Sequence, residues 1–71
     1  MVHQFKLNHR VQVTNQTHML FRKTGVVRVL TRRGLAWVKF GEAGLTANQL
    51  KAVRSHQDGM LLSPKDCEPM P

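Results

Sequence analysis

Acidic residues are scarce in this chain. Four Asp and Glu stand against eleven Lys and Arg in 71 residues, a formal charge of +7. None of the four precedes Glu42. Cysteine occurs once, so no internal disulfide can form and the small secreted scaffolds stapled by disulfides are excluded. Apolar stretches such as Met19-Leu20-Phe21 and Met60-Leu61-Leu62 fall far short of the roughly 20 residues of a membrane-spanning helix. They are also too short for the core of a signal peptide. The four histidines (His3, His9, His18, His56) and Cys67 show no paired cysteines and no H-x₃-H spacing, so no metal site is expected. A Gly-rich phosphate loop and a G-x-S-x-G motif are both missing, and Glu42 is the one carboxylate before residue 58. Neither enzymatic chemistry nor a cofactor is expected.

What is present fits one small domain. A chain of this length buries a small share of its surface, so its core is marginal. With 41% apolar and 21% charged residues it is nevertheless too apolar for full disorder. A cytoplasmic location, without membrane association, is the expectation. The charge is unevenly placed: residues 1–41 hold eight cations (Lys6, Arg10, Arg22, Lys23, Arg28, Arg32, Arg33 and Lys39) and no acid. Asp58, Asp66 and Glu68 lie in the last fourteen residues. Self-repulsion of this kind is relieved by a polyanionic partner.

The hydrophobic pattern predicts short strands. Leu7, Val11 and Val13 alternate with Asn8, Arg10 and Gln12, the period-two signature of a half-buried strand. His9 shares the inward parity and is placed at the strand's wet start. Residues 14–24 read as a long loop whose apolar middle, Met19 to Phe21, folds back onto the domain. Gly25 to Leu30 is rich in β-branched residues and reads as a strand, with Arg28 outward and Val27 and Val29 inward. Thr31-Arg32-Arg33-Gly34 makes a tight turn. Leu35 to Phe40 returns, with Ala36, Val38 and Phe40 inward and Trp37 and Lys39 outward. A glycine-flanked turn follows at 41–44.

The next segment allows two readings. Thr46 and Gln49 fit a capping box. Either one helical turn at 47–50 precedes a short strand Lys51-Ala52-Val53, or a longer helix runs to about Gln57 and is stopped by Gly59. The short turn is preferred, because the longer helix leaves Leu61 and Leu62 without a role. Residues 1–6 read as an arm with Phe5 available as an anchor. Residues 55–71 read as a flexible tail, tethered by Met60 to Leu62, with Cys67 an inert or adventitiously oxidised thiol. The predicted fold is all-β: a small barrel of about five short strands over residues 7–54, with one helical turn. Its core is drawn from Val11, Val13, Val27, Val29, Ala36, Val38, Phe40, Leu45, Leu50 and Val53.

The succession HRVQV, TGVVRVL, LAWVKF and LTANQLKAV resembles an SH3-like barrel of the KOW or Tudor type over about residues 7–54. A glycine opens the second strand of such barrels, as Gly25 does here, and a polar helical turn leads into the last strand, as Ala47 to Leu50 would. Asn8-His9 stands where the KOW pattern has Gly-Asp. The resemblance implies binding of RNA or of neighbouring proteins, as in ribosomal proteins and transcription elongation factors. Another family of SH3-like chains, the plasmid-type dihydrofolate reductases, carries a V-Q-I-Y stretch; the comparable region here is GLTANQL, and the chain contains no tyrosine.

The expected function is therefore a non-enzymatic nucleic-acid-binding module, for RNA or single strands more than for base-specific reading of duplex DNA. Its expected site residues are Arg28, Trp37 and Lys39 on the hairpin's outer face, Arg32 and Arg33 at its tip, and Arg22 and Lys23 extending the patch from the neighbouring loop. Cations meeting phosphates give affinity without sequence preference, and an exposed indole can stack on an unpaired base. Against this, Phe5 or the Met60 to Leu62 segment would cover Trp37, and the arginines would be a solvated turn. A docking barrel that binds an acidic protein or a larger assembly, by analogy with the small peripheral subunit of photosystem I, uses much the same residues. A homo-oligomer formed through strand edges is compatible with either role.

Overall fold

A computed structural model describes residues 4–70. These form five strands and one helix: β1 (Arg10–Val13), β2 (Thr24–Leu30), β3 (Ala36–Phe40), α1 (Ala47–Val53), β4 (Met60–Leu62) and β5 (Cys67–Pro69). All pairings are antiparallel, and the strands lie in one curled half-barrel sheet in the order β4-β3-β2-β1-β5. The all-β class expected from the alternating pattern is the class observed. Val11, Val13, Val27, Ala36, Val38 and Phe40 line the concave side and are buried, as their parity requires. Gly25 is fixed by this curl, because a Cβ there would sit 2.6 Å from Val38 Cγ1 and 2.8 Å from the Lys39 carbonyl oxygen.

Several expectations need correction. The first strand begins at Arg10, three residues later than the alternation suggested. Asn8 adopts a left-handed conformation (φ 67°), which breaks the alternation and leaves Leu7 half exposed. Val29 does not face inward. The β2–β3 register shifts between Val27 and Val29, so Val27 opposes Val38 while Val29 opposes Trp37 on the outer face.

Lys51, Ala52 and Val53 are helical, not a strand. The capping box is formed, with Gln49 N–H donating to Thr46 Oγ1 (3.2 Å) and Thr46 N–H donating to Gln49 Oε1 (2.9 Å). The helix continues until Arg54, which caps it by donating to the Leu50 and Ala52 carbonyls. Helix α1 leads into β4 and not into the last strand. Val53 is its buried contact; Leu50 is half buried and Leu45 packs at the core's margin.

The largest correction concerns residues 55–71, read from the sequence as a flexible tail. Met60–Leu62 pairs with β3 (Ala36↔Leu62, Trp37↔Leu61, Val38↔Met60), and Cys67–Pro69 pairs with β1 (Val11↔Pro69, Gln12↔Glu68, Val13↔Cys67). Leu62 and Cys67 are fully buried, as is Leu20 from the β1–β2 loop. Burying a side chain such as Leu62 contributes about 1.5–3 kcal/mol before entropy is counted. Phe5 is buried too, so the arm does anchor there; residues 1–3 lie outside the described residues. The barrel thus draws on both segments that flank residues 7–54.

Candidate nucleic-acid interface

The convex side of the sheet carries the candidate site. Register places Leu61, Trp37 and Val29 in one row across β4, β3 and β2. A second row runs Lys39, Val26 and Arg10 across β3, β2 and β1. Leu61 is 41% and Val29 37% exposed, so the first row is an apolar strip open to solvent. Arg28, at the register shift on β2, and Lys39, two residues along β3 from Trp37, both stand exposed.

Trp37 is half buried, and the cover is neither Phe5 nor the 60–62 segment alone. His56, in the loop between α1 and β4, stacks on the indole with ring centroids 4.1 Å apart and planes 15° from parallel. Leu61 flanks it from the neighbouring strand. The His56 ring is held by its own loop, since Asp58 N–H donates to its Nδ1 at 3.1 Å. Lys39 Nζ donates to the Gln57 carbonyl at 3.3 Å, so the same loop is tied to β3.

Arg32 and Arg33 project from the hairpin tip. Thr31 N–H donates to the Leu35 carbonyl (2.9 Å), Gly34 N–H donates to the Thr31 carbonyl (3.2 Å), and Gly34 has a φ of 79°. That turn leaves both arginines exposed. Arg22 and Lys23 lie at the opposite end of β2, roughly 20 Å away along a seven-residue strand. Lys23 Nζ donates to the Gly44 carbonyl (3.1 Å), and the Arg22 guanidinium lies over the Phe21 ring, 5.2 Å from its centroid. The structure therefore gathers Arg28, Trp37 and Lys39 on one face, sets Arg32 and Arg33 at one end of it, and holds Arg22 and Lys23 at the other.

The expected cover of Trp37 by the Met60 to Leu62 segment is met in part, since Leu61 lies beside it. Arg10 and His56 were not among the expected site residues. Arg10 is legible in the sequence, since it has outward parity with respect to Val11 and Val13. His56 carries no such signal, because its place on Trp37 comes from packing between segments distant in the chain.

Asp58 stands in the loop that covers Trp37, its carboxylate 3.9 Å from Nδ1 of the stacked His56. Glu42 is taken up by Arg54, which donates from Nε (2.9 Å) and Nη2 (2.6 Å) to its two oxygens. This bond, with the nearby Arg54 and Lys39 charges, holds the Glu42 carboxyl below its ordinary range. Asp66 accepts from Asn15 Nδ2 at 2.9 Å. Glu68 sits on β5 opposite Gln12, at the far edge from Trp37. Among the described residues, no group of three or more His, Cys, Asp or Glu could hold a metal ion, and no helix is long and apolar enough to cross a membrane.

No family model, curated protein or solved structure matches this chain. The functional reading therefore rests on the site itself.

Proposed function

We propose that this protein is a small, non-enzymatic module that binds single-stranded nucleic acid, RNA or an unpaired DNA strand, across the outer face of β2 and β3. The observation that carries this reading is the position of Trp37 within an exposed apolar row, with Arg28 and Lys39 beside it. Unpaired bases stack on aromatic and apolar surface, at about 1–3 kcal/mol per base, while flanking cations meet phosphates. Arg32 and Arg33 at one end and Arg22 and Lys23 at the other extend the cationic track along the strand direction. An exposed sheet face suits splayed bases better than it suits the major groove of a duplex.

The strand order, a four-stranded meander with β5 returning to β1, supports the reading of an SH3-like barrel of the KOW or Tudor type. Asn8 supports it as well. It stands where the KOW pattern has glycine, and with φ 67° it takes the left-handed conformation that asparagine tolerates best after glycine.

The test is titration with fluorescent single-stranded RNA, single-stranded DNA and duplex DNA at several salt concentrations, following Trp37 emission. Single strands are expected to quench Trp37 with an affinity that falls log-linearly with salt. Unchanged binding by Trp37→Ala and by the Arg32→Ala/Arg33→Ala pair would overturn the reading.

A second reading has its own observation. The exposed surfaces of Val29 and Leu61 beside Trp37 also suit an acidic protein that docks an apolar side chain there. Such binding would depend far less on salt. Two copies meeting through this face would oppose Arg28 and Lys39 to their own equivalents, so self-association fits the β4 and β5 edges better than the face.

A further inference from the structure

A cavity of about 490 Å³ opens at the end of the half-barrel, between the N-terminal arm, the hairpin tip and the β4–β5 loop. Its apolar lining comes from Phe5, Leu30, Leu35 and Pro64. Leu30 is 46% exposed although it opposes buried Ala36 in the register, which means its side chain lies at the open mouth of the barrel. Arg33 from the tip and Lys65 from the β4–β5 loop also border the cavity, and no acidic residue does. Among the described residues neither cation has a carboxylate within ion-pair distance. Gln4 and Ser63 add amide and hydroxyl groups to the wall.

We propose that this cavity is a nucleotide pocket, which takes one base unstacked from the bound strand and sets its phosphate against Arg33 and Lys65. The inference rests on the single-strand reading above and gives it a second, separate contact. The volume lies within the range of small-ligand sites. A nucleobase has the matching chemistry: apolar faces for Leu30, Leu35 and Pro64, and a polar edge for the Gln4 amide and Ser63 hydroxyl. The phosphate requires cations without competing carboxylates, which is how the rim is composed. Arg33 belongs to both sites, so a strand whose backbone follows the hairpin tip passes the cavity's mouth.

The test uses the full chain labelled with ¹⁵N and titrated with uridine 5′-monophosphate, adenosine 5′-monophosphate, uridine or inorganic phosphate. A mononucleotide is expected to shift the amides of Leu30, Leu35, Ser63 and Lys65, and phosphate alone is expected to shift them less. Lys65→Ala and Leu30→Ala, both at exposed positions, are expected to weaken mononucleotide binding, Leu30→Ala by about tenfold, the scale of one lost base contact, and Lys65→Ala through the lost phosphate contact. In single-strand titrations both variants should bind more weakly while Trp37 remains quenched. Trp37 quenching with unmoved pocket amides would overturn the pocket and leave the outer-face reading standing. Equal shifts from phosphate alone would reduce the cavity to an anion site and overturn base binding. Mononucleotide shifts at the pocket, with no single-strand effect on Trp37, would support the pocket chemistry and overturn the outer-face reading.

Discussion

His56 lies flat on Trp37, ring on ring at 4.1 Å, although nineteen positions separate them in the chain. The histidine occupies one of the two faces on which an unpaired base would stack. It also belongs to a loop attached to β3 by the Lys39–Gln57 hydrogen bond. The cover on the indole thus comes from one side chain of an exposed loop. His56→Ala is expected to lower stability by about 0.5–1.5 kcal/mol, the range for an aromatic pair. It should leave single-strand affinity equal or higher, because the base no longer competes with the imidazole. Urea denaturation and Trp37 titration of the same variant check both halves.

Arg22 has a φ of 72°, in the left-handed region that L side chains avoid. Its N–H donates to the Val13 carbonyl (2.9 Å), while Val13 N–H donates to the Lys23 carbonyl (2.9 Å). Two residues thus oppose one, as in a bulge whose first position favours glycine. Arg22→Gly is expected to be more stable than Arg22→Ala by about 1 kcal/mol, since only glycine escapes the steric penalty. Chemical denaturation of the two variants decides it. If the proposed interface is correct, both variants should lose the same single-strand affinity.

Cys67 is buried on β5, with its Sγ 3.5 Å from the Ser63 carbonyl oxygen. Burial, with a smaller contribution from the Asp66 charge, pushes its thiol up to about 11 from an ordinary value of 9.0. The folded state favours the neutral thiol. Stability from this group is therefore complete below about 9 and is lost as the pH rises through the window up to about 11. Denaturation midpoints should fall across that window for the parent chain and fall less for Cys67→Ala. At neutral pH a thiol reagent should label Cys67 only on unfolding, not as an adventitiously oxidised tail residue would be labelled.

Leu62 closes the core from the β4 edge, fully buried and paired with Ala36. Leu62→Ala is expected to cost about 2–4 kcal/mol, a large part of a small domain's stability. Lys65→Ala, three residues on and exposed, should change stability by less than about 0.5 kcal/mol. Thermal unfolding followed by circular dichroism separates the two. Similar midpoints for both would mean that β4 contributes nothing to the fold.

Much of the central meander was legible because its signals are local. Arg28 follows buried Val27, Lys39 lies between buried Val38 and Phe40, Thr31 to Gly34 is a self-contained turn, and Thr46 with Gln49 forms its capping box within four residues. The same parity put Trp37 and Lys39 outward. It failed at Val29, because a register shift is a property of two strands together and leaves no mark on either one. It failed again at Leu62 and Cys67, where strands of three residues are too short to show a period.

The sequence by itself determined the all-β class, the cationic character of residues 1–41 and the outward placement of Arg28, Trp37 and Lys39, since periodicity and charge are carried by neighbouring residues. Only the tertiary structure decided that residues 60–62 and 67–69 complete the sheet, that His56 covers Trp37, and that Phe5, Leu30 and Lys65 border one cavity. Those arrangements depend on pairings between distant segments. Their stabilisation comes from backbone hydrogen bonds and shared apolar burial that exist only once the chain has closed on itself.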